Sequence, residues 1–418
     1  MKNHDMKRII LSFLFVLLGI GAATAKQWPG GYVRVDGPNL VEANGKQLRI
    51  RGTNLGNWLN PEGYMFGFKK VNSPHFINEM LCQLVGPDEA AAFWAQFKDR
   101  YITRDDIKFI ASCGANVIRL PFHYALFTDE DFMGLTSRQD GFARIDQVVE
   151  WCREFHLYLI LDMHDCPGGQ TGDNIDDSYG YPWLLTSPAS QQKFCDIWQA
   201  IAHRYEREPI ILGYELMNEP IAHYFEEDMA LLKGNLEPLQ KRAVAAIRKE
   251  DRQHIILLGG AVWNSHFDCF SDWTYDDKLM YTCHRYGGEP TADAIRSYIE
   301  FRDKTQLPMY MGELGHNSDE WQSRFVETLE QNNIGWTFWP YKKLDNSCWM
   351  GIARPAEWDS IVSFAEADRS SYEAIRKARP SQALSRRVLA EYLNNLAPAR
   401  CNIQHGYLKS IGLEPKKK

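Results

Sequence analysis

Eight short apolar runs, each separated from the next by a stretch of helical period, limit the folds open to this chain. The runs are residues 48–54, 116–121, 158–163, 210–217, 255–258, 280–284, 308–311 and 335–339. Between or after them, residues 104–113, 146–155, 190–205, 236–250, 292–305, 320–332 and 356–366 place apolar side chains at helical spacing. Strands alternating with helices give a parallel sheet whose two faces are both covered, and eight such units close into a (β/α)8 TIM barrel of the α/β class. The competing doubly wound sheet would put a glycine-rich phosphate loop after its first strand. Here that position reads NLGNWLNPEG.

The ends of the chain carry different signals. Residues 32–35 and 40–43 alternate like strands, and Asn44-Gly45 predicts a type I′ hairpin turn ahead of the barrel. Residues 26–371 are expected to form one catalytic domain. Residues 372–418 are expected to form a C-terminal helical extension packed on the barrel, with a helix over Gln382–Asn395 and a solvated Lys416-Lys417-Lys418 tail. At the other end, Lys2, Lys7 and Arg8 precede a dozen apolar residues and the small-x-small pattern Ala23-Thr24-Ala25. That is the pattern of a signal peptide over 1–25, so the protein is expected to be exported to the periplasm or the exterior, without stable membrane insertion. Cleavage removes two net positive charges and moves the formal net charge from −7 to −9. An acidic surface excludes nucleic acid as the main partner and suits a neutral substrate. The nine cysteines form no CxxC pair, and their odd number leaves at least one thiol free. Cys113 and Cys152 lie in apolar helical patterns and are expected to be buried thiols.

Barrel chemistry is done by side chains at the C-terminal ends of the strands. Those ends supply Arg119, His164, Asn218-Glu219, His284 with Tyr286, Glu313 and Trp339. Two carboxyls from different strands, flanked by Arg, His, Tyr and Asn, are what glycosidic bond cleavage requires: one carboxyl to protonate the leaving oxygen, the other to attack the anomeric carbon. Glu219 ends the apolar segment ILGYELMNEP, where desolvation favours a protonated acid. Asn218 can bond a sugar hydroxyl beside the reacting carbon. Glu313 lies in PMYMGELG, and Arg119 and Tyr286 can donate to it and hold it ionised. The 13 Trp are an excess that suits stacking on sugar faces.

In combination, RGTNLGNW, IRLPF, LDMHD, LMNEP, CHRY, GELG and GWTFWPYK resemble glycoside hydrolase family 5, from about Arg49 to Trp358. The resemblance implies a retaining enzyme with Glu219 as acid/base and Glu313 as nucleophile. It implies Arg119, His164, Asn218, His284, Tyr286 and Trp339 as substrate-site residues, with Trp339 under the reacting sugar and followed by a cis peptide bond. Within the family the chain is most similar to the exo-β-1,3-glucanase-like branch, in which Glu62 would grip the terminal sugar. The chain departs from that branch at Asp165, Cys166, Asn60 and Pro61, all near the substrate. Tyr64, Phe66, Tyr179 and Trp183 are candidate cleft walls. The two carboxyls are expected about 5–5.5 Å apart. A carbohydrate substrate, no cofactor, no metal and a monomeric state complete the expectation. A metal-dependent barrel would need HxH or HExxH, neither of which occurs. Gly168-Gly169 and Gly259-Gly260 are too isolated for a phosphate site and fit loop geometry. A non-catalytic sugar-binding module would not need both glutamates. Endo-acting β-1,4-glucanases, mannanases and side-chain-removing hemicellulases remain alternatives on the same scaffold.

Overall fold

The structure, a computed structural model, describes residues 30–134 and 137–415. The segment expected to be a signal peptide, 1–25, and the Lys416-Lys417-Lys418 tail lie outside them. All eight expected strands form: β4 (Arg51–Asn54), β5 (Val117–His123), β6 (Tyr158–Asp165), β7 (Ile211–Glu215), β8 (Ile255–Gly259), β9 (Leu279–His284), β10 (Met309–Glu313) and β11 (Gly335–Phe338). Each pairs in parallel with its sequence neighbour, and β11 returns to β4, so the barrel closes and no sheet edge is left open.

Three shorter strands, β1 (Arg34–Asp36), β2 (Asn39–Val41) and β3 (Gln47–Leu48), form an antiparallel sheet under the barrel. Its Val33, Leu40 and Leu48 share one apolar cluster with Ile50, Val117, Ile160, Leu257 and Tyr310, which plugs the N-terminal end of the barrel. The hairpin chemistry differs from the type I′ expectation. Gly45 N–H donates to Glu42 O, and Gly45 alone is left-handed, at φ 85°. This is a three-residue connection with glycine at its left-handed position, and it joins β2 to β3.

The helices cover the outer face of the barrel. Those between strands include α1 (Pro74–Val85), α2 (Pro87–Arg100), α3 (Arg104–Ser112), α4 (Asp140–Phe155), α5 (Pro188–Tyr205) and α6 (Met229–Ile247). α1 and α2 are additions to the expected helices, although each begins at proline and Gly86 separates them at φ 91°. Arg296–Thr305, Asp319–Gln331 and Trp358–Glu366 follow the later strands. Helix Gln382–Asn395 buries Val388, Leu389, Tyr392 and Leu393, with the Tyr392 ring stacked on Trp358 at 4.8 Å. Lys342, fully buried in strand β12 (Lys342–Leu344), donates to the carbonyls of Tyr101 and Leu396 and pairs with Asp106. An ammonium taken out of water is stable only with such partners, and these ones join the barrel to the C-terminal segment. All nine cysteines are free thiols, and Cys113 and Cys152 are buried. Among the described residues, no helix is long and apolar enough to cross a membrane.

Candidate active site

The C-terminal ends of the strands meet at a cavity of ≈ 380 Å³ lined by Glu62, Tyr64, His164, Glu219, Tyr286, Glu313, His316 and Trp339. Its floor is a buried polar network centred on Arg119, which points inward from β5 with no exposure. The guanidinium donates to Glu313 Oε1 at 2.7 Å, to both oxygens of Glu215, to Asn54 Oδ1 and to Asn218 Oδ1 at 2.9 Å. Asp162 completes the ring of acids at 3.0 Å. A buried cation with this many acceptors is fixed in one orientation, so Glu313 is fixed with it. From the other side, the Tyr286 hydroxyl donates to Glu313 Oε2 at 2.7 Å.

Glu219 has different surroundings. It follows β7 in a left-handed conformation, at φ 45°, and its carbonyl accepts from Thr171 Oγ1. Burial pushes its carboxyl up to about 8, against the opposing pull of Arg119. His284 Nδ1 lies 2.8 Å from Glu219 Oε1 and 3.7 Å from Glu313 Oε2. Glu219, His284 and Glu313 each place one donor atom within 4.8 Å of the other two. One oxygen of each carboxyl therefore lies within 4.8 Å of an oxygen of the other, a close approach of the kind that a retaining pair needs. The three donor types would also suit a cation, but His284 Nδ1 is already engaged with Glu219.

The remaining expected residues converge on the same cavity. His164 Nδ1 bonds Asp162 at 2.7 Å, its Nε2 faces Asn218 Nδ2 at 3.2 Å, and burial lowers its pKa to about 3, so the ring is neutral. Trp339, followed by a cis bond to Pro340, lies parallel to the His164 ring at 5.2 Å and donates from Nε1 to the Tyr64 hydroxyl. Gly56 makes that pose possible, since a Cβ there would sit 2.8 Å from the indole. Glu62 is 4% exposed, its Oε1 has no hydrogen-bond partner among the described residues, and burial raises its pKa well above the usual carboxylate range, with Glu313 and Glu219 adding to the shift.

The cleft walls need correcting. Of the four candidates, only Tyr64 lines the cavity. Phe66 turns the other way and packs in the core against Phe68, Phe97 and Tyr392. Tyr179 borders a separate hollow beside His75 and His123, and Trp183 rests on Tyr181. Asp165 and Cys166 are buried behind the cavity rather than lining it. Sequence reasoning missed Glu215, Asp162 and Tyr310, whose hydroxyl donates to Glu215 Oε2 at 2.7 Å. The signal was present in two acids inside otherwise apolar strands, positions tolerable only with a partner.

A closed parallel barrel with paired carboxyls and a flat indole at its C-terminal mouth defines the class: a barrel glycoside hydrolase. The cellulase family, glycosyl hydrolase family 5, matches residues 42–345, and the chain belongs to that family of retaining enzymes. Among similar proteins, a beta-xylosidase from Phanerodontia chrysosporium is 27% identical over 79% of this chain and 75% of its own length. Endoglucanase C of Acetivibrio thermocellus is 27% identical over 63% and 90%. Glucan 1,3-beta-glucosidases are similar as well. In fold, a rutinosidase from Aspergillus niger superposes with a TM-score of 0.58 at 17% identity, covering 71% of this chain and 91% of that one.

Proposed function

We propose that this enzyme removes sugars from the non-reducing end of a neutral β-glucan or related oligosaccharide by double displacement. In this scheme Glu313 attacks the anomeric carbon while Glu219 gives its proton to the leaving oxygen, so the glycosidic bond breaks as a glycosyl–Glu313 ester forms. Water then attacks the anomeric carbon, gives its proton to Glu219, and breaks the bond to Glu313, which leaves as a carboxylate. The observation that carries the proposal is the unequal treatment of two adjacent carboxyls. Glu219 is buried with its pKa raised to about 8, while Glu313 receives hydrogen bonds from Arg119 and Tyr286 on both oxygens. Arg119, His164, Asn218, His284, Tyr286 and Trp339 hold the sugar and the two carboxyls in place. Export through the 1–25 signal, a catalytic unit over 26–371 and a monomeric state belong to the same proposal.

The pH dependence follows from Glu219. Its protonated form does the first step, so kcat/KM falls as pH rises through about 8. A pH–rate profile whose basic limb lay below about pH 6, where an ordinary carboxyl is already ionised, would remove Glu219 from the acid role.

Glu62 supports exo action because it places at the cavity wall a carboxyl whose Oε1 has no partner among the described residues, where the terminal sugar's hydroxyls can bind it. Glu62→Ala is expected to lower kcat/KM on oligosaccharides by about tenfold to a hundredfold, the loss of two hydrogen bonds to a buried carboxyl. The parent should release mainly monosaccharide early in digests of laminarin or mixed-linkage glucan. Early products dominated by long oligosaccharides would favour the endo-acting reading. Profiling cellulose, mannan, xylan and aryl glycosides in parallel identifies the sugar and linkage.

A further inference from the structure

After β8 the chain runs Gly259-Gly260-Ala261 and then enters three consecutive left-handed residues: Val262 (φ 54°), Trp263 (φ 53°) and Asn264 (φ 59°). A β-branched residue in that region is unfavourable, and three non-glycine residues in a row persist there only where their surroundings hold them. The surroundings do so: Asn264 N–H donates to Gly260 O, His266 N–H donates to Ala261 O, and Ala261 bridges to His266. The turn sends Trp263 outward against His223, at 4.8 Å between rings, and Asn264 inward, where it is fully buried. Gly259 is required for the inward pose, because a Cβ there would lie 2.1 Å from Asn264 Oδ1.

Inside, Asn264 Nδ2 lies 3.2 Å from His284 Nε2, and the opposite ring nitrogen, Nδ1, faces Glu219 Oε1 at 2.8 Å. We infer that Asn264 is a positioning residue: by donating to His284 Nε2 it keeps the imidazole proton on Nδ1, where it donates to Glu219 and orients that carboxyl towards the leaving oxygen. An amide N–H can only donate, so the nitrogen it meets must carry a lone pair, and the single proton of a neutral imidazole then sits on the other nitrogen. Burial lowers the His284 pKa to about 4, which keeps the ring neutral. The charged and titratable groups around this pair are Glu313, Arg119, Glu215 and His164 on the His284 side, and Arg119, Asp162, Asp173 and Glu215 on the Glu219 side. Asn264 brings direction without adding charge to that set. The inference rests on Glu219 being the acid.

Two variants test it. Asn264→Asp keeps the shape and reverses the hydrogen bond, since a carboxylate only accepts. The imidazole proton should move to Nε2, which leaves Nδ1 without a proton to give to Glu219. Asn264→Gly keeps the left-handed backbone and deletes the amide. In the parent, nitrogen NMR of histidine-labelled protein should show His284 protonated at Nδ1 and bare at Nε2. Asn264→Asp should protonate Nε2, lower kcat/KM on substrates with poor leaving groups by about tenfold to a hundredfold, and move the basic limb of the pH profile about one unit higher, because the Glu219 carboxyl loses a donor and gains a negative neighbour. Asn264→Gly should lower the same rates less and leave the ring proton shared between the nitrogens. The inference is overturned if Nε2 carries the proton in the parent. It is also overturned if both variants lose activity only in step with melting temperature, with the pH profile unmoved. Full activity of Glu219→Gln on poor leaving groups would instead defeat the acid assignment, and the NMR result would still decide what Asn264 does.

Discussion

Glu313→Ala is expected to abolish turnover on every substrate, with kcat reduced by at least about four orders of magnitude, equivalent to roughly 5.5 kcal/mol of barrier. Two neighbouring carboxyls are committed elsewhere. Glu219 is engaged by His284, and Glu215 is locked between Arg119 and Tyr310 beneath the cavity floor. The substitution removes one acceptor from Arg119 and leaves the guanidinium its contacts with Glu215, Asp162, Asn54 and Asn218, so the fold should survive. Azide should restore part of the activity by occupying the emptied space beside the anomeric carbon. Because the anion attacks once and is not displaced, the glycosyl azide should have inverted configuration. Proton NMR of the product reads this directly, and a retained configuration would place the nucleophile elsewhere.

Glu219→Ala is expected to have a large but selective effect. Substrates with poor leaving groups should lose about 10²–10⁴-fold in kcat/KM, the usual worth of a positioned general acid. Activated aryl glycosides leave without a proton and should lose much less in the first step. The basic limb of the pH profile should disappear with the carboxyl that produced it. A steady-state survey across aryl leaving groups separates the two glutamates: a steep dependence on leaving-group acidity for Glu219→Ala, uniform loss for Glu313→Ala. The same response from both variants would mean that the roles are wrongly divided.

Much of this site was readable in the chain because barrel geometry converts strand order into spatial order. His164, Glu219, His284 and Glu313 lie far apart in sequence, yet each stands at or just past the end of an apolar run, and closure of the barrel brings such ends together around Arg119, which sits inside one. The support beneath them was harder to see. Glu215 and Asp162 stand in the same apolar runs as the residues singled out, but a strand pattern does not say which acid points to the axis. Tyr64 and Phe66 show the same limit in a short turn (Gly63–Phe66), where two aromatics two positions apart face the cavity and the core respectively. Asn264 was not found at all, because three left-handed residues outside glycine leave no periodic trace. The hairpin turn was located correctly and typed wrongly, since Asn-Gly permits the primed turn without requiring it.

The placement of Phe66 has a consequence for how specificity can change. Glu62 and Tyr64 form one wall of the cavity, and directly behind them Phe66 packs on Tyr392, while Trp358 Nε1 donates to the Phe66 carbonyl. The wall proposed to meet the terminal sugar is therefore braced from outside the barrel by Tyr392 and Trp358. Substitutions at Tyr392 or its neighbours can tilt that wall by fractions of an ångström without touching Glu219 or Glu313. The helix Gln382–Asn395 thus offers selection a remote adjustment of the cavity wall, separate from the carboxyls anchored to Arg119 in the barrel floor.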